Sequence, residues 1–517
     1  MSPEPVRLSE LVATLSLVSD LGMGRPMERV LRQTVIAMRL ADDAGVGPEV
    51  SAATYYTSLL TWVGCATDTS ELAELFGDET QLFADSHDGD LAGVSMAMFL
   101  TKHLGHGSSP LRRIGMVGKF LATAGRGVQK VMESHCQAAS DLAGQLDLGE
   151  SVAGPLVQAF ERWDGRGVPG RAGKGQLAPA IRLVQLADNI EAFHYSGGID
   201  AAVEVATTRR GTQFDPELVD RFCARPEYFL DGLGEFQAWD QVIALDPRLG
   251  ERMTDAKLDT AFDALGDFAD LKSPYFLGHS RGVAQLAAEA GAAMGLSDQE
   301  AVNLRRAAAI HDIGTVGVPS GVWDATEPWT LAQSERARTH PYLAERMFSR
   351  VAALKPVVAC AAQHHERLDG SGYPHGLTAA AIGPIARVLA AADVYQALRQ
   401  ARPHRPAMDG DAAVATMRQE VHDGRLDAEA VNGVLGVAGH RVGRRAVLPS
   451  GLTRREADVL VQLARGLSNP EIAEALTISR KTVSSHLEHI YTKIGVTTRT
   501  EAALFAMRTG LVDTLAG

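Results

Sequence analysis

Apolar residues recur at helical spacing along most of the chain. In the segment 480–494, Val483, Leu487, Ile490 and Ile494 follow one another every three or four positions, which is the spacing of one face of an α-helix. Sustained alternation of apolar and polar residues, which is typical of a half-buried β-strand, is hard to find. The pattern therefore predicts an all-α fold.

Clusters of glycine and proline interrupt the helical pattern near 164–179, 369–384 and 433–451. Such clusters end helices and form turns. The last cluster lacks apolar periodicity, and we interpret its residues 436–450 as a linker. The segment 451–517 is then a separate C-terminal domain.

The chain before this linker contains an internal repeat. FERWDGRGVPG aligns with HERLDGSGYPH when the chain is shifted by 205 residues, and the same shift aligns AIRLVQLADNIEAF with IARVLAAADVYQAL. Farther upstream, TSLLTWVG aligns with AAAIHDIG at a shift of 250, so the first copy carries an insertion of about 45 residues. We predict tandem homologous helical domains, namely 1–200 and 266–435, joined by a connecting segment, 201–265.

Length and composition set the class of protein. The 517 residues are 45% hydrophobic and 22% charged, with a mean hydropathy of −0.04, which is typical of a folded protein of several domains. The longest apolar runs fall short of the roughly 20 residues that span a bilayer. The four cysteines are widely spaced and form no CxxC pair, and the first twenty residues do not resemble a signal peptide. We therefore expect a cytoplasmic protein with reduced cysteines and no membrane partner.

Charge is distributed unevenly along the chain. The net charge of −13 argues against nucleic-acid binding over the whole surface. From Gly451 onward, however, eight basic residues stand against seven acidic ones, and Arg441, Arg444 and Arg445 lie just upstream. A weakly basic tail on an acidic body allows a small DNA-binding module.

Seven histidine and aspartate residues in the second copy are candidate metal ligands. Imidazole and carboxylate ligands without thiolates suit iron or manganese better than structural zinc. Seven ligands exceed the needs of one ion, so we predict two divalent ions that share Asp312. Two ions a few ångströms apart lower the pKa of a shared water and hold the phosphorus centre that it attacks. The candidate ligands are His279, His311, Asp312, His340, His364, His365 and Asp393.

The order H…HD…H…HH…D, with HHERLDGSGYP inside it, resembles the HD-GYP domain of the HD phosphohydrolase superfamily over about 270–410. The resemblance implies an all-helical fold and a metal centre that hydrolyses phosphodiesters, usually cyclic diguanylate. All seven candidate ligands match metal-ligand positions of the family, and His311 and Asp312 match its catalytic pair. By the same resemblance, Arg402 and Arg405 of the RPHR segment and Tyr373 of the GYP motif bind the substrate.

Two positions depart from the family pattern. The family's HDxGK is HDIGT here, so Thr315 replaces a lysine that points toward the substrate phosphate. Tyr275 stands where members with three metals have a glutamate, which favours two metals. The neutral hydroxyl of Thr315 cannot supply the positive charge of the family's lysine. Two hypotheses therefore stay open: a phosphodiesterase, and a nucleotide- or metal-sensing module without turnover.

The first copy has lost most of the candidate ligands. Thr61 and Trp62 replace the His-Asp pair, and Ala159 and Phe160 replace the double histidine. We predict a degenerate domain that supplies packing or a ligand-sensing surface, with Trp62 and Phe160 filling the site. A His-Asp pair inside the insertion is out of register and predicts an exposed turn: His87 and Asp88. Only two ligand positions are kept: His135 and Asp188.

The C-terminal segment predicts short helices joined by a tight turn. Thr453 and Glu456 form a capping box, Asn469 is the N-cap of a second helix whose first residue is Pro470, and Ser479 caps a third helix that Gly495 ends. A helix that is basic at its N-terminus and follows a tight turn is suited to the DNA major groove.

This segment closely resembles the LuxR-type helix-turn-helix over 449–517. The resemblance implies base-edge or groove contacts for Lys481, Thr482 and Ser485. It also implies that the final helix, 500–510, forms the dimer surface, so we expect a homodimer on a two-fold DNA site. Phosphate contacts are expected from Arg480, His486 and Lys493. The whole chain is then interpreted as a bacterial regulator that joins a cyclic-dinucleotide phosphodiesterase to a DNA-binding domain.

Overall fold

The computed structural model of the chain describes most of its residues and supports the predicted fold class. Within this part the regular secondary structure is helical, with no β-strand. The pair His87-Asp88 and most of the predicted linker lie outside the described residues. The described residues are 5–66, 102–103, 126–234, 238–248, 251–440, 449–476, 478–509 and 511.

The chain forms two compact units, Met1–Arg441 and Val442–Gly517. The first unit contains both copies of the repeat and the segment that connects them. The described helices of its first half are α1 Leu8–Gly22, α2 Arg29–Asp43, α3 Pro48–Leu60, α4 Arg126–Gln145, α5 Glu150–Leu156, α6 Pro179–Thr208, α7 Pro216–Ala224, α8 Pro226–Leu230 and α9 Ala238–Ala244.

The second half repeats this order of elements around the candidate ligands. A 3-10 turn follows the third long helix in each half: Val63–Ala66 in the first and Ile313–Gly317 in the second. The helices of the second half are α10 Asp255–Asp270, α11 His279–Ala293, α12 Asp298–Ile310, α13 Ser320–Trp323, α14 Leu331–Ala337, α15 His340–Phe348, α16 Lys355–Ala361, α17 Pro384–Arg399, α18 Gly410–His422 and α19 Ala428–Val437.

A glycine in each 3-10 turn permits the same close packing in both halves. A Cβ atom on Gly314 would lie 2.0 Å from the carbonyl oxygen of His340, and one on Gly64 would lie 2.2 Å from that of His135. No other residue fits such an approach without displacing the backbone. The glycine after the HD motif therefore brings the turn against the helix that carries the next candidate ligand.

The connecting segment packs on the core of the first half. Helix α6 continues to Thr208, past the predicted boundary at 200, with non-helical backbone at Gly198. Phe214, Phe222 and Phe229 join α2 and α6 in one apolar cluster. The segment is therefore part of the folded body.

Helix α1 of the first half lies directly behind the HD motif of the second. A Cβ atom on Gly22 would lie 2.9 Å from Val316, and one on Gly317 would lie 2.5 Å from Leu21. An ion pair also joins the halves, because Arg350 Nη1 lies 2.7 Å from the fully buried Glu28. The two copies thus share a tight interface within one unit.

The C-terminal unit has its own apolar core, to which Leu460, Ile472, Val483 and Ile490 contribute. The predicted capping box of Thr453 and Glu456 and the Ser479 cap are present. The second helix starts differently from the prediction, because Ser468 is its N-cap and Asn469 is its first helical residue. Its helices are α20 Arg454–Ala464, α21 Asn469–Ala475, α22 Arg480–Ile494 and α23 Arg499–Arg508.

Among the described residues, no helix combines the length and the apolar character needed to cross a bilayer.

Candidate metal centre

The seven predicted ligands of the second copy converge on one buried site. Asp312, His340, His364 and His365 offer ligand atoms that all lie within 4.8 Å of one another. A second such group overlaps the first through Asp312, and it adds two further residues, His279 and His311.

Asp393 faces both groups from helix α17. Its Oδ1 atom lies 3.2 Å from His279 Nε2 and 3.9 Å from His311 Nε2. Its Oδ2 atom lies 3.9 Å from His365 Nδ1. The carboxylate oxygens of Asp312 lie 3.3 Å from His340 Nε2 and 3.6 Å from His279 Nε2. The two aspartates therefore stand between the imidazoles, as ligands of adjacent cations would.

Backbone carbonyls orient three of the histidines. His311, His340 and His364 each donate Nδ1–H to the carbonyl oxygen three residues earlier, at 2.7–2.8 Å. His279 Nδ1 is held at 2.8 Å by Gln400 Oε1. When Nδ1 carries the proton, the lone pair of a neutral imidazole lies on Nε2. All four Nε2 atoms are thus presented to the centre as ligands.

The Nε2 lone pairs of neighbouring histidines face one another and need a cation between them to be satisfied. His340 Nε2 and His364 Nε2 are 3.1 Å apart, and with Nδ1 as the donor on both rings neither Nε2 carries a hydrogen. His311 Nε2 is buried and has no hydrogen-bond partner among the described residues. Buried acceptors without donors are costly. A bound cation satisfies them, so the residues present fit a metal site.

Burial and charge give His311, His365 and both aspartates the protonation that metal binding needs, whereas at His279 burial is outweighed by Asp393 and Asp312, which raise its pKa. Burial lowers the pKa of His311 to about 4 and that of His365 well below its ordinary value. Burial opposes ionisation of Asp312 and Asp393, but the surrounding imidazoles outweigh it and hold both pKa values well below the usual range. Neutral imidazoles and ionised carboxylates are the forms that bind metals.

Glu366, which the sequence analysis did not single out, holds the loop that carries the GYP motif. It is buried and accepts hydrogen bonds from the backbone N–H groups of His375 and Leu377 at 2.7 and 2.8 Å. The loop brings the Tyr373 ring to 4.7 Å from that of His365. Glu161 aligns with Glu366 at the repeat shift of 205 and also accepts hydrogen bonds from two backbone N–H groups of its own loop, so the repeat contained the signal.

The two arginines expected to bind substrate have different surroundings. Arg402 is half-buried beside Phe276, donates to the Tyr275 carbonyl oxygen and interacts electrostatically with Asp393. Arg405 instead donates to backbone carbonyl oxygens at the end of helix α17, Ala397 among them. Arg402 therefore lies beside the cluster of candidate ligands, whereas the hydrogen bonds of Arg405 stabilise the turn.

Thr315, at the position of the family lysine, is buried. Its hydroxyl has no hydrogen-bond partner among the described residues, and its carbonyl accepts from Trp323 Nε1 at 3.1 Å. The turn that carries Asp312 thus holds an uncharged side chain here.

The first copy has a different centre at the equivalent place. Arg29 aligns with His279 at the shift of 250, and its Nη2 lies 2.6 Å from Asp188 Oδ1. Trp62 Nε1 also donates to Asp188 at 2.9 Å. Trp62 and Phe160 do pack around His135, with ring centroids 5.0–6.2 Å apart. The prediction of apolar filling was therefore incomplete, because a buried ion pair also occupies the site.

The predicted DNA-contacting residues lie on helix α22 of the second unit. Arg480, Lys481, Thr482 and Ser485 are exposed, and His486 is half-buried. The ammonium of Lys493 instead lies 2.8 Å from the buried Glu456 carboxylate and also donates to the Gly451 carbonyl oxygen. Lys493 thus joins two helices of its own unit, a role that the sequence analysis missed.

Comparisons with known proteins agree with this geometry. Residues 263–430 match the family model described as HD domain. The 3'3'-cGAMP-specific phosphodiesterase 3 of Vibrio cholerae is 30% identical over 421 residues, which are 80% of this chain and 91% of that protein. The chain belongs to the HD-GYP phosphodiesterase family. The prediction of a metal-dependent phosphodiesterase is thereby confirmed.

A solved structure and a shorter relative are also similar to this HD-GYP phosphodiesterase. A crystal structure of a cyclic GMP-AMP-specific phosphodiesterase of Vibrio cholerae aligns with a TM-score of 0.59 and 26% identity, over 85% of this chain and 99% of that one. The cyclic di-GMP phosphodiesterase response regulator RpfG of Xanthomonas campestris is 37% identical over 174 residues, 32% of this chain and 42% of that protein.

The C-terminal unit has relatives of its own. Residues 450–506 match the family described as bacterial regulatory proteins, luxR family. The uncharacterized transcriptional regulatory protein YhcZ of Bacillus subtilis is 55% identical over 60 residues, which are 12% of this chain and 28% of that protein. The HD-GYP phosphodiesterase is therefore fused to a LuxR-type helix-turn-helix domain, as predicted.

Proposed function

We propose that the second copy hydrolyses a cyclic dinucleotide with two divalent ions, iron or manganese, that share Asp312. The observation that carries this proposal is the membership of Asp312 in both ligand groups. A carboxylate with one oxygen toward each group can hold two cations a few ångströms apart, and histidine with carboxylate ligands suits iron or manganese. Two such ions, when bound, lower the pKa of a shared water and neutralise charge on the phosphate.

The protein's own residues position the substrate in this proposal. Arg402 lies close enough to Asp393 to interact with it electrostatically, and its guanidinium can hold a phosphate with paired hydrogen bonds. Tyr373 forms a wall of the site against His365, and Glu366 keeps its loop in place. His311 and Asp312, the predicted catalytic pair, present their ligand atoms from the end of helix α12.

The choice of substrate rests on the relatives. The relative that aligns with 91% of its length is named for 3'3'-cGAMP, whereas RpfG is named for cyclic di-GMP. Both molecules are cyclic dinucleotides with two phosphodiester bonds. We propose 3'3'-cGAMP as the preferred substrate, because its relative also matches most of the first copy.

The experiment compares the two dinucleotides on anaerobically purified, metal-analysed protein. Linear product from 3'3'-cGAMP, and its loss in Asp312→Ala together with lost metal, is the expected result. Faster turnover of cyclic di-GMP would overturn the substrate choice. Binding of either dinucleotide without product would overturn the proposed hydrolysis.

The buried, uncharged Thr315 favours a second candidate, in which the site senses nucleotide or metal without turnover. One missing donor or charge at a transition state costs on the order of 100-fold in rate. Thr315→Lys distinguishes the two hypotheses. If the parent protein forms no product and Thr315→Lys does, the sensing hypothesis is supported. If the parent protein itself forms product, the phosphodiesterase hypothesis is supported.

We propose that the second unit binds DNA as a homodimer through helix α22, and that the protein works in the cytoplasm. Four free cysteines are consistent with a reducing compartment. Arg480, Lys481, Thr482 and Ser485 form an exposed polar face, as a recognition helix requires. A dimer on a two-fold site compensates for the weak binding of a single small domain.

Arg480→Ala tests this interface, with Lys493→Ala as the matched control. Arg480→Ala removes an expected phosphate contact, so it should weaken DNA binding about tenfold and reduce the salt slope by about one. Lys493→Ala removes the ion pair with Glu456, so it should lower the Tm of the domain and leave the salt slope nearly unchanged. An unchanged slope in Arg480→Ala would contradict the proposed contact.

A further inference from the structure

Three buried arginines lie near the start of helix α2, at the centre of the first copy. Arg25, Arg29 and Arg32 are 7%, 3% and 4% exposed. Glu191 accepts from Arg32 Nε at 2.7 Å and lies 3.3 Å from Arg29 Nε. Together with the Arg29–Asp188 pair, this contact neutralises two of the three guanidinium groups.

Arg25 has no such neutralising contact within the part of the chain that the structure describes. Its Nε, Nη1 and Nη2 atoms are all buried and have no hydrogen-bond partner among the described residues. The guanidinium carbon lies 4.6 Å from the centre of the Trp62 ring, so one face of the group is covered. Burial lowers the pKa of Arg25 to about 9, which still leaves the group charged at neutral pH.

The nearby carboxylates are already engaged by other groups. Asp188 accepts from Arg29 and Trp62. Asp20 contacts the backbone N–H of Val30 at 3.4 Å, and burial raises its pKa to about 7. At neutral pH the three arginines therefore outweigh the charge of the acids around them.

A buried guanidinium with five unsatisfied N–H groups is strongly unfavourable unless an acceptor reaches it. Its planar fork matches the oxygens of a phosphate group, which can accept several of these hydrogen bonds and cancel the charge. We propose that the first copy binds a phosphate-class oxyanion at Arg25, in the place where the second copy presents its metal ligands.

The alignment of the copies supports an anion at this place. Arg25 and Arg29 stand at the positions of Tyr275 and His279 when the chain is shifted by 250. Fixed guanidinium groups thus take positions at the edge of a centre that is suited to cations in the second copy. The ligand is either free phosphate or the terminal phosphate of a nucleotide, since both present the same oxyanion.

The test is calorimetric titration of the full chain after its metals are removed, with inorganic phosphate and guanosine 5'-monophosphate as probes at constant ionic strength. Metal removal deprives the second copy of its cations. The expected result is one bound phosphate per chain, at least about tenfold weaker binding in Arg25→Met, and unchanged binding in the matched control Arg210→Met, which removes an exposed arginine of the same half that pairs with Asp220. Tighter binding of the nucleotide would identify a phosphate ester as the natural ligand, and equal or weaker binding would identify the free ion.

Thermal unfolding keeps the test decisive. Phosphate should raise the Tm of the parent but not that of Arg25→Met, and the variant without phosphate should be at least as stable as the parent. If Arg25→Met does not fold, Arg25→Lys keeps the charge and loses the fork, so it should bind phosphate more weakly than the parent. No binding to the parent, or equal binding to parent and Arg25 variant, would overturn the proposal.

Discussion

The two copies within the first unit have the same arrangement of elements but different centres. In the second copy, His279 Nε2 lies 3.2 Å from Asp393, among other imidazoles with inward-facing lone pairs. In the first copy, Arg29 Nη2 lies 2.6 Å from Asp188, the equivalent aspartate. The retained aspartate thus faces an internal cation in one copy and a metal-ligand cluster in the other.

The comparison shows which residues the fold itself requires. Gly64 and Gly314 permit the same close backbone contact, and Glu161 and Glu366 hold equivalent loops. These residues persist in both copies because they satisfy the backbone. Most of the histidines, by contrast, have no counterpart in the first copy, where an arginine neutralises the buried carboxylate instead.

The largest expected effect comes from neutralising the aspartate that both copies keep, which is Asp393 in the second copy and Asp188 in the first. Asp393→Asn should lower kcat/KM at least about 1,000-fold and reduce metal content, because a ligand and its charge are lost. Asp188→Asn should leave kcat/KM within about threefold. It should lower the free energy of unfolding by roughly 3 kcal/mol, because Arg29 loses a buried partner. Steady-state kinetics, metal analysis and thermal unfolding separate these outcomes, and lost activity in Asp188→Asn would contradict the division of roles.

Arg402 has no arginine counterpart in the first copy, where Gly197 stands at the shift of 205. Arg402→Ala should raise KM about 30-fold, because a charged hydrogen-bond donor to phosphate contributes about 2 kcal/mol. Arg405→Ala is the control, since that side chain binds backbone carbonyl oxygens. It should lower Tm with a smaller change in KM. The reverse ranking of the two KM values would contradict the assignment.

Glu366→Gln should have an intermediate effect. The amide can accept only one of the two backbone hydrogen bonds, so the Tyr373 loop loosens and kcat/KM should fall about tenfold, a loss of about 1.4 kcal/mol. Glu161→Gln makes the same change in the first copy. Glu161→Gln should lower Tm about as much as Glu366→Gln does, but it should leave kcat/KM unchanged. Equal losses of kcat/KM in the two variants would contradict the assignment of the active site to the second copy alone.

The smallest expected effect concerns pH. The pKa of Asp20 is raised by burial to about 7, so between pH 4 and 7 the folded state binds more protons than the unfolded state. Its contribution to stability is therefore lost as pH rises through about 7. Asp20→Asn should remove about 1.4 kcal/mol of this decline between pH 6 and 8. Thermal unfolding of parent and variant at both pH values measures the difference, and parallel pH dependences would contradict the raised pKa.

The repeat and the ligand pattern could be predicted from sequence because both depend on local or regularly spaced features. Helical periodicity indicated the all-α fold, and the HD, HH and GYP motifs lie within short segments. The shift of 250 also aligned Arg29 with His279, yet the alignment alone did not say that the guanidinium points at Asp188. A side chain's direction depends on packing from elements far away in sequence.

By itself, the sequence determined which residue types the protein has for metal binding and which copy lacks them. Only the tertiary structure decided that Glu366 holds the loop of the GYP motif, that Arg405 and Lys493 are engaged within the protein, and that the guanidinium of Arg25 is buried among engaged carboxylates. The physical reason is that charge balance and hydrogen-bond satisfaction are properties of a place in space. Such a place collects groups from helices that lie more than a hundred residues apart along the chain.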